Sequence, residues 1–131
     1  MSALLNHPRL AGCRRLFLRG HAVAVRIGAH DFEQHAAQRI VFNVDLYVPL
    51  ALSTPRTDAL SEVVDYDFIR EAIARRVGCG HIQLQETLAD ALLGDMLAHP
   101  GVRAARVSTE KPDVYPDCEA VGVEVFGFRE D

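Results

Sequence analysis

The segment IVFNVDLYVP, residues 40–49, carries the most regular pattern in the chain. Apolar residues stand at every second position: Ile40, Phe42, Val44, Leu46 and Val48. Successive side chains of a strand point to opposite faces of the sheet, so this spacing predicts a strand with one face on a hydrophobic core. Pro49 has no amide proton for strand pairing, and we expect regular pairing to end there.

Three further strands and two helices are predicted around this segment. Alternating apolar residues, or residues that favour strands, predict strands at residues 16–27, 102–109 and 121–126. Apolar residues three or four positions apart predict helices at residues 69–77 and 84–96. The order strand, strand, helix, helix, strand, strand is typical of the α+β class, with a four-stranded antiparallel sheet that carries two helices on one face.

The length and the charge balance indicate one globular domain. The chain has 131 residues, which is enough for a modest core. We expect a loosely held N-terminal extension at residues 1–14 and a single domain at residues 15–131. The formal net charge is -4, and no cluster of Lys and Arg is long enough to follow a phosphate backbone. We therefore expect no nucleic-acid partner.

The apolar segments and the cysteines indicate where the protein acts. No apolar run approaches the roughly 20 residues that a bilayer span requires. The first residues show no secretion signal, and we expect no membrane partner. Cys13, Cys79 and Cys118 are odd in number and lack C-x-x-C spacing. They are typical of reduced thiols, so we expect a cytoplasmic protein.

The histidines do not predict a metal site. No two of the six form an i, i+4 pair on a predicted helix. His30 and His35 share one loop with Asp31 and Glu33, which leaves a chance site open, but loop histidines are more often solvated than ligating. The segment Gly78-Cys79-Gly80 lacks the Lys-Ser/Thr pair of a phosphate loop. We expect neither a metal nor another cofactor.

Four residues at the ends of predicted elements could carry chemistry. They are Glu33, Tyr66, Glu86 and Lys111, and together they form an acid/base set if the fold brings them together. Each also has an ordinary explanation. Glu86 would favour the dipole of its helix, Glu33 would be a solvated loop residue, Tyr66 would be an aromatic at the core edge, and Lys111 would discourage unwanted strand pairing.

The predicted sheet would leave two edges open in a single chain. Natural proteins seldom leave long, apolar edges unpaired. Edge-to-edge pairing of identical chains would close the sheet into a ring. We therefore expect a homo-oligomer.

Six runs of sequence together resemble the bacterial dihydroneopterin aldolases. They follow one another in consistent order between about Leu16 and Phe128. The runs are IGAHDFEQ (27–34), QRIVFNVD (38–45), VDYDFI (64–69), QETLA (85–89), EKP (110–112) and AVGVEV (120–125). The resemblance implies the tunnelling fold, in which the sheets of several subunits close into a barrel-like ring. It also implies a homotetramer or homo-octamer with active sites between subunits.

The resemblance implies retro-aldol cleavage of 7,8-dihydroneopterin without a metal or a Schiff base. The N5=C6 imine of the pterin substrate accepts the electron pair, so the protein supplies only acids, bases and a fixed ring. By position, Lys111 would donate and accept the proton, and Glu86 would anchor the pterin. Gln85 would bind it through its backbone. Glu33 would contact the polyol or orient Lys111. Tyr66 would come from a neighbouring subunit and steer a hydroxyl proton or a water.

Two alternatives remain open at this point. The first is an epimerase acting at C2′ of dihydroneopterin or its triphosphate, because re-addition after the same bond cleavage gives the epimer. The pair Lys111-Pro112 looks more like the aldolase branch. The second is a non-catalytic tunnelling-fold subunit that binds a pteridine or a purine. Such a subunit would need mainly Glu86, whereas all four chemical positions are filled.

Overall fold

The computed structural model describes residues 3–130 and contains one four-stranded antiparallel sheet in the order β1-β2-β3-β4. The strands are β1 (Cys13–Val25), β2 (Gln38–Pro49), β3 (Ala104–Lys111) and β4 (Val121–Phe128). Two helices, α1 (Asp67–Val77) and α2 (Gln85–Ala98), lie between β2 and β3 in the chain. The predicted α+β order of elements is confirmed.

The alternation in residues 40–49 is confirmed as the centre of the core. The five apolar residues at even positions are all at most 1% exposed. They pack in one cluster with apolar residues of both helices, among them Ile69, Ile73, Leu88 and Leu92. Burial of each such side chain is worth about 1.5–3 kcal/mol. The helices therefore cover one face of the sheet, as predicted.

All four strands differ from the prediction by two or three residues at an end, and β1 and β3 differ at both ends. β1 begins at Cys13, which pairs with Pro49 of β2, and ends at Val25, which pairs with Gln38, while Ile27 bridges to Ile82 instead. β3 extends to Lys111, which was expected to follow the strand, because Lys111 pairs with Val121 of β4. Cross-strand pairing thus holds this lysine at a fixed place in the sheet.

The N-terminal segment is packed more tightly than expected. Leu10 is 1% exposed and lies against Tyr47 and Ala104, on the sheet face opposite the helices. The Arg9 guanidinium stands 4.1 Å from the centroid of the Phe128 ring. The helices lie on the other face of the sheet, so the N-terminal segment is what shields the Tyr47 and Phe128 rings from water. The expectation of a loosely held segment is wrong for these residues, whereas the domain boundary at residue 14 stays a prediction.

The face opposite the helices also carries a buried acid. Asp45 is 5% exposed. Its Oδ1 forms an ion pair with the Arg15 guanidinium of β1 at 2.6 Å, and its Oδ2 accepts a hydrogen bond from Arg106 Nε of β3 at 2.7 Å. This ion-pair network ties three strands together.

Within residues 3–130, β1 and β4 each keep one edge without a partner strand. No helix in the same residues is long and apolar enough to cross a membrane.

Candidate active site

A largely buried lysine–carboxylate pair lies at one end of the sheet. The Nζ of Lys111, the last residue of β3, is 2.7 Å from Oε2 of Glu33. Glu33 ends the short 3-10 helix Asp31–Glu33 between β1 and β2. The two side chains are 11% and 3% exposed. The sheet brings them together across 78 positions of sequence, because β2 follows the Glu33 loop and pairs with β3.

Other donors hold the Glu33 carboxylate in its charged form. Gln38 Nε2 donates to Glu33 Oε2 at 2.8 Å and to the carbonyl of Ile27 at 2.7 Å, and the His30 amide donates to Glu33 Oε1 at 3.3 Å. Burial acts to raise the pKa of Glu33, but the hydrogen bonds from Lys111, Gln38 and His30 outweigh it and leave the pKa below the ordinary 4.5. Glu33 is therefore a carboxylate at neutral pH.

Gly28 provides the space for this arrangement. Its φ of +133° is a conformation that residues with a side chain rarely adopt, and a Cβ at this position would lie 2.2 Å from Cδ of Glu33. Its carbonyl accepts Gln34 Nε2 at 2.9 Å and lies 2.8 Å from His81 Nε2. The loop therefore packs against a position where only glycine fits.

The start of α2 lies at the same end of the sheet. Gln85, its first residue, is 8% exposed. Its Oε1 accepts the Thr109 hydroxyl at 2.8 Å, and its Nε2 donates to the carbonyl of Val121 at 3.3 Å. Glu86 follows in the first turn with an exposed side chain. Leu84 at the N-cap makes no side-chain hydrogen bond to the helix, so first-turn amides stay open to an acceptor.

The structure joins some of the sequence-predicted residues and leaves one apart. Glu33 and Lys111 are in direct contact, and Gln85 is bonded to the residue paired with Lys111, which places Glu86 at the same end. Tyr66 stands before α1 with 64% of its surface exposed. Among the described residues it makes no hydrogen bond to the other four. A single chain thus joins Lys111 to Glu33 and places the start of α2 at the same end of the sheet, without the phenol.

Sequence reasoning missed three residues of this site. Gly28 falls in the run 27–34, Gln38 opens the run 38–45 and Thr109 ends the third predicted strand, but the pattern assigns none of them to the site. The lysine count is a useful signal in the sequence. Lys111 is the only lysine in the chain, and all the other residues in the Lys and Arg count are arginines. Arginine does not deprotonate in proteins, whereas lysine does. Lys111 thus differs chemically from every arginine in the sequence.

The loop histidines do not gather at this site. His30 stacks on Phe32 with ring centroids 5.6 Å apart, and both side chains are exposed. Within the described part of the chain, no three His, Cys, Asp or Glu side chains are grouped to hold a metal ion.

The fold and the site define a class of protein. A ββααββ chain with an antiparallel sheet, helices on one face and two open edges has the tunnelling fold. Its lysine–carboxylate pair and the carboxylate of Glu86 lie at one end of that sheet. The sequence pattern described as "FolB: Dihydroneopterin aldolase" matches residues 16–126. The chain belongs to the dihydroneopterin aldolase family.

Two solved structures and one further enzyme are similar to this chain. A crystal structure of dihydroneopterin aldolase from Burkholderia thailendensis bound to guanine is 60% identical, with 96% of this chain and 99% of that chain covered and a TM-score of 0.89. Dihydroneopterin aldolase of Escherichia coli, solved in complex with neopterin, shares the fold at 23% identity, with 87% and 98% covered and a TM-score of 0.78. Dihydroneopterin triphosphate 2′-epimerase of Pseudomonas aeruginosa is 27% identical over 93% of this chain and 99% of its own.

Proposed function

We propose that this protein cleaves 7,8-dihydroneopterin into 6-hydroxymethyl-7,8-dihydropterin and glycolaldehyde. Removal of the 2′-hydroxyl proton lets the C1′–C2′ bond break, and its electron pair moves into the ring to give an enamine at C1′, C6 and N5. Protonation of C1′ restores the N5=C6 imine and gives the hydroxymethyl product. The two proton transfers balance, and the protein needs one group that both takes and gives a proton.

The largely buried Lys111–Glu33 pair is the observation that carries this proposal. Lys111 Nζ is held 2.7 Å from Glu33 Oε2, and both side chains are nearly enclosed. The carboxylate orients the amine and offsets its charge, while burial excludes the water that would compete for the reacting protons. We therefore assign the proton transfers to Lys111 and the orienting role to Glu33.

The start of α2 fits the role of pterin anchor. A pterin presents an amino group and a ring N–H side by side, and these two donors match the two oxygens of a carboxylate such as Glu86. The open backbone amides at the start of α2 can donate to the adjacent ring carbonyl. Guanine has the same donor pair and carbonyl, and the Burkholderia relative was solved with guanine bound.

The assay of this proposal is direct. Purified protein incubated with 7,8-dihydroneopterin should release glycolaldehyde in a 1:1 ratio to 6-hydroxymethyl-7,8-dihydropterin. The matched control is Arg39→Ala, which removes an exposed cation near the same loops, bonded to Asp113, without touching the buried pair. It should turn over like the wild type. Absence of glycolaldehyde from folded wild-type protein would overturn the aldolase assignment.

We also propose that Tyr66 acts across a subunit interface in a homotetramer or homo-octamer. Its 64% exposure and the open edges of β1 and β4 support a site completed by a second copy. Subunits carrying Lys111→Ala and subunits carrying Tyr66→Ala should each be inactive. Co-expressed, they should regain activity at the interfaces that combine an intact Lys111 with an intact Tyr66. No recovery in mixed oligomers would place both residues in one subunit's site.

A second candidate is epimerisation at C2′, which the 27% identical Pseudomonas aeruginosa epimerase supports. The bond cleavage is the same, and the outcome depends on whether glycolaldehyde re-adds to the enamine before it leaves. Incubation with dihydroneopterin and, separately, with its triphosphate distinguishes the two. A 2′-epimer that forms faster than glycolaldehyde would make epimerisation the main activity.

The cytoplasm is the compartment that we propose for this reaction. Cys79 and Cys118 are free and exposed thiols, and Cys13 is free and half-buried. Exposed free thiols persist where the surroundings are reducing.

A further inference from the structure

We propose that the side chain of Gln85 is a positioning residue that sets the distance between the pterin anchor and the proton-transferring lysine. This inference rests on the proposed function, because it concerns Glu86 and Lys111 in the roles assigned above. Gln85 is the residue directly before Glu86 and is 8% exposed. Its amide binds the sheet at both of its polar atoms.

Both hydrogen bonds of Gln85 reach the neighbourhood of Lys111. Thr109, which donates to Gln85 Oε1 at 2.8 Å, is completely buried and lies two residues before Lys111 on β3. Val121, whose carbonyl accepts Gln85 Nε2 at 3.3 Å, is the β4 residue paired with Lys111. Side chains two apart on a strand share a face, so Thr109 and Lys111 point toward the same helix layer.

The rest of α2 cannot fix this distance as well. Leu88, Leu92 and Met96 hold the helix on the sheet through apolar contacts, which carry no direction along the helix axis. A buried primary amide with one donor and one acceptor engaged has a single fitting position. Loss of the amide would also leave the completely buried Thr109 hydroxyl without this partner. The glutamine therefore sets the place of the first turn relative to β3 and β4.

The consequence is a separation of binding from chemistry. Glu86 moves with α2 as one body, so a small shift of the helix would leave the anchor able to hold a pterin ring. The same shift would misplace the substrate side chain relative to Lys111. A misplacement of about 1 Å can cost roughly 100-fold in rate. We expect a Gln85 variant to lose kcat and to keep its affinity for the ring.

The test compares Gln85→Met, which keeps the shape and removes the amide, with Gln83→Met in the exposed position two residues earlier. Gln85→Met should lower kcat for dihydroneopterin cleavage about 10- to 100-fold, with KM and the guanine dissociation constant changed less than threefold. Gln83→Met should match the wild type. An unchanged kcat in folded Gln85→Met, or a loss explained wholly by weaker guanine binding, would overturn the positioning role.

A second variant and a structural readout keep the inference independent of folding and of turnover. Thr109→Val removes only one hydrogen bond of Gln85, and its loss of kcat should be smaller than that of Gln85→Met and not additive with it. Crystal structures with guanine bound should show a changed separation between the Glu86 carboxylate and Lys111 Nζ in Gln85→Met. The separation can be measured even if the wild type releases no glycolaldehyde, and an unchanged value would contradict the inference.

Discussion

Two buried carboxylates, Asp45 and Glu33, are both ion-paired but differ in the kind of partner. Asp45 is held by Arg15 and Arg106, and Glu33 is held by Lys111. Arginine keeps its proton at all ordinary pH values, whereas the lysine amine can release its own. The Asp45 cluster therefore fixes the positions of three strands, and only the Glu33 pair is suited to move a proton.

The two carboxylates also differ in what surrounds them. Asp45 lies within β2, where its backbone is paired with strands on both sides. Glu33 lies in a loop, and its place depends on Gly28 and Gln38. A strand residue is held by the sheet itself, while a loop residue needs dedicated contacts. We therefore predict that substitution of Asp45 lowers stability, whereas substitution of Glu33 or of the residues that contact it lowers activity.

The largest effect is expected at Lys111. Lys111→Ala should lower kcat by a factor of about 10²–10⁴, which is the usual contribution of a positioned acid or base. Lys111→Arg should lose nearly as much, because it restores the charge beside Glu33 but cannot take part in proton transfer. Steady-state measurement of glycolaldehyde release, with circular dichroism to verify folding, gives both values. High activity in the arginine variant would mean that charge alone is needed.

The next effect is expected in stability, at Asp45. Asp45→Asn should lower the free energy of unfolding by about 3 kcal/mol, because it leaves two partly buried arginines without their carboxylate. The turnover number of the remaining folded protein should change less than threefold. Glu124→Gln is the matched control, since Glu124 is 59% exposed and stands 3.8 Å from Arg106. It should cost less than about 1 kcal/mol in urea unfolding, and equal losses in the two variants would contradict the assignment.

The fold was largely predictable because its strands and helices repeat a simple period. Residues 40–49 show a period of two, and one face on a core gives that pattern directly. The ends of strands were less predictable. Lys111 lies inside β3 because β4 pairs with it. Leu10 is buried because it packs against aromatic rings on the sheet face opposite the helices. Such contacts join distant parts of the chain.

The site was predictable as a set of residue types and not as a geometry. The resemblance selected Glu33 and Lys111, and the structure places them in contact. Nothing in a single sequence states that Gln85 turns its amide into the sheet or that Gly28 leaves room for Glu33. Both depend on three-dimensional neighbours from other elements. Tyr66 stays a prediction, because its proposed role requires a second copy of the chain.

A smaller effect is expected at Gly28, where loop geometry and activity are coupled. Gly28→Ala should displace Glu33, because the new Cβ would overlap its side chain, and we expect about a tenfold loss of kcat/KM with a stability cost of about 1–3 kcal/mol. Gly20→Ala is the control, since Gly20 also has a positive φ, +70°, but its Cβ would meet no atom within 4 Å. It should cost about 1 kcal/mol and no activity. Equal kcat/KM values for the two variants would mean that the position of Glu33 does not affect catalysis.

The smallest effect is expected in the pH dependence of stability, where Glu33 can be compared with its neutral form. The folded-state pKa of Glu33 lies below the ordinary 4.5, since its hydrogen bonds outweigh burial. The contribution of this carboxylate to the free energy of unfolding is therefore fully present above about pH 4.5 and is lost as the pH falls through the folded-state pKa. Urea unfolding of the wild type and of Glu33→Gln between pH 7 and pH 3 should show the two free energies converging below pH 4.5. A constant difference across that range would mean that the shape of Glu33, and not its charge, holds the loop, and Lys111 would then owe its place to the pairing of β3 with β4 alone.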